Sequence, residues 1–142
     1  MAKNDVELKG NLTRDPHFDY LDGRDGPVPF MRFTLAVDRH PPRQQGTDYL
    51  QVVSYGQSAL HDHAYLRQGS EVFVEGWVRT RNGTDAGGNP ATRIEVVAEE
   101  ITFLRNIEWE KGQAAKTQFI EEGQVQDQEG PLNVPVLALA AA

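Results

Sequence analysis

The chain has 142 residues, no cysteine and a formal charge of −7, which suits one domain with a tail and excludes disulfides and Cys-ligated metals. No apolar run approaches the ~20 residues of a membrane helix, and the opening MAKNDVELKG lacks the apolar core of a secretory signal. The charge also argues against binding a polyanion by bulk attraction alone: residues 1–104 carry 11 Lys/Arg against 15 Asp/Glu and residues 105–142 carry 3 against 6, so any such site must be a local basic stripe on an acidic body.

Val6, Leu8 and Leu12 alternate with Glu7, Lys9 and Thr13, the period of a half-buried strand. Gly10 falls among the inward positions, as at a bend or a close backbone approach. Asp15-Pro16 breaks the strand, and Asp22-Gly23 with Asp25-Gly26-Pro27 marks a loop or hairpin. Phe30–Asp38 is a second strand, with Phe33, Leu35 and Val37 on one face and Arg32, Thr34 and Ala36 on the other; Phe30 is out of phase, which suggests a bulge. Residues 39–46 are polar and proline-containing, and read as an exposed, mobile loop.

The stretch Thr47–Arg81 organises the rest. Asp48–Tyr55 is a third strand, with Tyr49, Gln51, Val53 and Tyr55 sharing a face. Residues 56–69 read as a helix with Ser58 as N-cap and Gly69 as its end. Glu71–Arg81 is a fourth strand, in which Val72, Val74, Gly76, Val78 and Thr80 alternate with Glu71, Phe73, Glu75, Trp77, Arg79 and Arg81. Asn82-Gly83 and Gly87-Gly88-Asn89-Pro90 form a flexible hairpin. Thr92–Leu104 is a fifth strand, bent around Glu99-Glu100. Three strands, a helix and two strands is the order of an OB-fold, a five-stranded Greek-key barrel. Residues 1–105 are therefore expected to be the barrel and 106–142 a flexible, disordered C-terminal tail rich in Gly, Gln and Glu.

Single-stranded nucleic acid binds to flat π surfaces for its bases and cations for its phosphates. Tyr49 and Tyr55 share one strand face, Trp77, Arg79 and Arg81 another, and Arg32 and Lys9 point outward on the first two strands. Each of these could instead be partner packing or solvated surface, and Phe73, between two glutamates, is better placed for an oligomer interface. His61-Asp62-His63 resembles a ligand set, but helical residues two apart diverge, so no metal site is expected. No nucleophile elbow, P-loop or HExxH motif occurs, so no catalysis and no cofactor are expected.

The segments GNLTRDP (10–16), FTLAVDR (33–39), TDYLQVVSYGQSA (47–59), LRQGSEVFVEGWVRTR (66–81) and RIEVVAEEITFL (93–104) resemble the bacterial single-stranded DNA-binding proteins (SSB), in order and spacing, over residues 5–105. The resemblance implies an OB-fold, a homotetramer with a dimer as the other arrangement, and non-specific binding of single-stranded DNA in replication, recombination and repair. It also implies a cytoplasmic, nucleoid-associated protein. Tyr49 and Tyr55 match the family's stacking aromatics, and Arg79 and Arg81 its basic strand-four motif. Trp77 stands where the family is polar, and aromatics of the family are replaced near Pro41 and at Gly83. The family's acidic tip with its closing Pro-Phe pair has no counterpart in LNVPVLALAAA, which leaves the replication and repair partners open. The rival readings are an OB-fold accessory protein of a replication-restart complex and a subunit that delivers RNA to an enzyme.

Overall fold

The structure is a computed structural model that describes residues 2–40 and 45–116. Its strands are β1 (Val6–Leu12), β2 (His17–Gly23), β3 (Gly26–Asp38), β4 (Thr47–Tyr55), β5 (Glu71–Thr84) and β6 (Pro90–Arg105), with a short helix, α1 (Gln57–Asp62), between β4 and β5; residues 109–116 are helical as well. They form one sheet in the order β1-β5-β6-β4-β3-β2, and β1 also pairs with β3 through Asn11↔Ala36 and Leu12↔Leu35. That second pairing closes the sheet into an OB-fold barrel. The close approach falls at Gly10, where an added Cβ would lie 2.2 Å from the Ala36 carbonyl oxygen.

Period-2 alternation sends one face of each strand inward. Met31, Phe33, Leu35, Val52, Val72, Val74 and Val96 fill the barrel with Leu12 and Leu66. Burying such a side chain contributes roughly 1.5–3 kcal/mol relative to exposure, and this inner layer holds the strands that carry the outer face.

Four local features differ from the sequence expectations. The Asp22–Pro27 punctuation closes a β2–β3 hairpin, which adds a strand at His17–Gly23. Phe30 is not bulged: β3 pairs with β4 without a shift from Phe30↔Tyr55 to Asp38↔Thr47. Phe30 is buried on the opposite face, in a second cluster with Val53, Val97, Tyr55 and Trp77. The helix is only 57–62; Gly56, at φ 74°, occupies its N-cap position, and no side chain caps it. Tyr65 N–H bonds to the Asp62 carbonyl, turning the chain before a longer helix can form.

β6 carries two extra residues. Glu75 pairs with Glu100 but Gly76 with Ala98, and Glu71 with Arg105 but Val72 with Phe103. Glu99 and Leu104 are therefore unpaired bulges, and the first is the expected bend.

Of the range read as tail, 106–116 is described. Ile107 packs against the barrel core, Glu108 N–H bonds to the Tyr65 carbonyl, and Trp109 meets the Tyr65 and Phe103 rings edge-on. A Cβ on Gly112 would lie 2.2 Å from the Tyr65 ring, so this segment is seated on the barrel at its start. Residues 117–142, including the apolar end, lie outside the described residues, as does Pro41.

Candidate nucleic-acid interface

The outer face of β3, β4, β6 and β5 is set by register. Phe30 pairs with Tyr55 and Arg32 with Val53; Val53 pairs with Val97; Trp77, Arg79 and Arg81 pair with Val97, Glu95 and Arg93. All these side chains leave the sheet on the side away from the barrel core. Phe30, Val53 and Val97 form an apolar floor, and Tyr55 and Trp77 lie half-buried against it. The Phe30 and Tyr55 rings are 5.5 Å apart.

Arg79 lies over the Tyr55 ring, 5.3 Å from its centre. Its guanidinium donates to the Tyr55 hydroxyl and to Glu95 Oε1 at 2.7 Å. Partial burial pulls this guanidinium's pKa down, but the bonds to Glu95 and Tyr55 outweigh burial and hold it above its ordinary value. Glu95 is only 5% exposed, and its second oxygen is 3.8 Å from Arg81. This chain of contacts fixes the Tyr55 ring and neutralises most of one arginine.

The other arginines are differently placed. Arg32 is exposed and 5.9 Å from the Phe30 ring centre. Arg81 and Arg93 are direct cross-strand partners on the two-stranded arm that β5 and β6 extend beyond the barrel. Between that arm and β3–β4 lies an open cleft of about 550 Å³, lined by Arg32, Gln51, Arg81, Asn82, Arg93 and Glu95 among others.

The structure thus gathers Tyr55, Trp77, Arg79, Arg81 and Arg32 of the sequence candidates. Tyr49 shares their face, opposite Ala36, but stands apart at the start of β4, 67% exposed. Lys9 pairs with Phe73, and the two line a separate groove with Asn11, Asp48 and Glu71. Gly83 lies on the arm and faces open space. Sequence reasoning did not single out Phe30, Gln51, Arg93 or Glu95. The last two sit at alternate positions of β6, and strand parity would have put them opposite Arg81 and Arg79 once the β5–β6 hairpin register was known.

A profile of the Single-strand binding protein family matches residues 3–104. The chain is 38% identical over 104 residues to Single-stranded DNA-binding protein 2 of Listeria innocua, an alignment covering 71% of this chain and 64% of that protein. It is 36% identical over 107 residues to the Single-stranded DNA-binding protein of Thermotoga maritima, covering 71% and 73%. The chain thus spans just under two thirds of the Listeria protein and more of the Thermotoga one. Among solved structures, a Plasmodium falciparum SSB complex with ssDNA superposes with a TM-score of 0.63 at 24% identity, covering 74% of this chain and 97% of that one, a likeness of fold.

Proposed function

The chain belongs to the single-strand binding protein family, and from that membership we propose that it binds single-stranded DNA without sequence preference on the outer face of β3–β4–β6–β5. One observation carries the reading: Trp77 and Tyr55 share an apolar floor on the same sheet face as Arg32 and Arg81. Bases stack on the aromatic surfaces at about 1–3 kcal/mol each, and the arginines meet the phosphates. Tyr49 extends the stacking surface along β4, and Lys9 meets the strand only where it passes to the β1 side. Backbone charge and base faces are common to every sequence, so the binding is general. The protein then coats exposed strands during replication, recombination and repair, in the cytoplasm at the nucleoid. It performs no reaction of its own. Phe73, half-buried on the outer side of β5, is a contact between copies in a homo-oligomer, with a tetramer expected.

A fluorescence titration tests this. Trp109 lies with Tyr65 and Phe103, away from the proposed face, so Trp109→Phe leaves Trp77 as the sole reporter. Adding dT oligomers of increasing length is expected to quench Trp77 saturably, with a site size that reports how many barrels act together. An unchanged spectrum and no retained oligomer would refute the reading.

A further inference from the structure

The two arginines that meet across the β5–β6 arm are the unusual feature of this face. Arg81 and Arg93 are Cα partners, and like charges directly opposite each other oppose strand pairing. A fold keeps such a pair when an acid neutralises it or when the charge serves a ligand. The acid nearest to hand is committed elsewhere: Glu95 is buried and bonds Arg79 at 2.7 Å, while its approach to Arg81 is 3.8 Å. Among the described residues, no carboxylate lies within 4.0 Å of Arg93 or Arg32. Three guanidinium groups therefore line one cleft with a single, already engaged counter-charge.

Guanidinium forks fit phosphate oxygens, often with two parallel bonds. We propose that the cleft at the root of the arm is a phosphodiester subsite formed by Arg32, Arg81 and Arg93, with Gln51 as a neutral donor on its floor. This inference rests on the single-stranded DNA reading and divides its labour. Arg79 is held back by Glu95 and Tyr55 and positions the Tyr55 ring, while the backbone charge of the strand is met in the cleft. The strand then runs from the Trp77–Tyr55 floor toward the arm, with bases on the floor and phosphates among the three arginines.

The test is the salt dependence of binding to a dT oligomer, measured for the full chain and for Arg93→Gln, Arg32→Gln and Arg24→Gln. Arg24 is in the β2–β3 turn and controls for net charge alone. Each phosphate neutralised on a single strand contributes about −0.7 to the slope of log K against log salt. Arg93→Gln and Arg32→Gln are each expected to flatten the slope by about that amount, so that raising salt from about 50 to about 200 mM weakens the variant about 2.6-fold less than the parent. Arg24→Gln should keep the parent slope, and Arg93→Lys should restore it by keeping the charge. If the parent binds and Arg93→Gln behaves like Arg24→Gln, the subsite is wrong while the binding function stands. A flat slope in Arg93→Lys would also overturn it. Absence of binding by the parent would remove both readings together.

Discussion

The two halves of β5 present opposite surfaces from one strand face. The first half carries Glu71, Phe73 and Glu75; the second carries Trp77, Arg79 and Arg81. Their cross-strand neighbours reinforce the contrast. Glu75 is flanked by Glu7 on β1 and Glu100 on β6, at a groove with Lys3, Asp5 and Glu99. Trp77 sits beside Val97, and Arg79 beside Glu95. The changeover falls at Gly76, where the register of β6 also shifts. The net charge of −7 therefore describes neither half. Screening over ~10 Å at about 0.1 M salt lets the basic half act locally, while the acidic half turns a polyanion aside.

The largest effect should come from breaking the junction itself. A Cβ on Gly76 would lie 1.9 Å from the Val97 carbonyl oxygen, a backbone atom that cannot rotate away. Gly76→Ala is expected to cost about 3 kcal/mol or more, the upper end of overpacking, and chemical denaturation would measure it. An unchanged midpoint would show that β6 can move there.

Next in size is the contrast between the two outward aromatics of the halves. Trp77→Ala should weaken dT binding by about 1–3 kcal/mol, one stacked base, with the circular dichroism of the barrel retained. Phe73→Ala should leave that affinity within about twofold, below about 0.4 kcal/mol, and shift the sedimentation coefficient instead. Equal losses from both would erase the distinction between the halves.

Charge on the acidic half gives a smaller effect. Glu75→Gln removes a carboxylate that faces two others, and should stabilise the fold by roughly 0.2–1 kcal/mol per relieved pair. Melting curves at low and high salt would show this gain shrinking as salt rises. A salt-independent gain would mean that packing, not repulsion, changed.

The smallest effect separates both halves from the scaffold beneath them. Burial pushes the His63 imidazole pKa down, against bonds from its ring to the Ala59 and Leu60 carbonyls, and the ring stacks on Phe18 at 3.8 Å. The folded state therefore takes up this proton less readily than the unfolded chain. The stability it contributes is present above about pH 6.5, the ordinary histidine value, and is lost as pH falls through the lower folded value. His63→Gln should flatten the stability profile below pH 6.5, by at most about 1.4 kcal/mol per pH unit, without altering dT affinity at neutral pH.

Much of this was legible along single strands. Alternation in Glu71–Arg81 identified which side chains share a face, and inward Gly10 pointed to the barrel closure. What alternation could not supply was pairing between strands. Phe30 looked out of phase because only one buried face was allowed for, whereas β3 is buried on both sides at that point. Glu95 carried no signal along its own strand until the β5–β6 register set it beside Arg79. Arg93 had no meaning without Arg81 across from it. The seating of residues 107–112 combines Ile107 on the barrel core, Trp109 against the Tyr65 and Phe103 rings and Gly112 against Tyr65, contacts with no strand periodicity to announce them.

The bulge at Glu99 gives β6 a local bend that its composition hides. Up to Ala98 the even-numbered residues, Val96 and Ala98, point into the barrel; beyond Glu99 the odd-numbered ones do, Ile101 beside Val74 and Phe103 beside Val72. The single extra residue resets the reading frame of the strand. Without it the strand would run Ala98 inward, Glu100 outward and Ile101 inward in regular alternation, so Ile101 and Phe103 would keep their places in the core and the local bend would be lost. At this solvent-facing position the extra residue sets the curvature of β6 and leaves the core side chains on the face that simple alternation without it would give them.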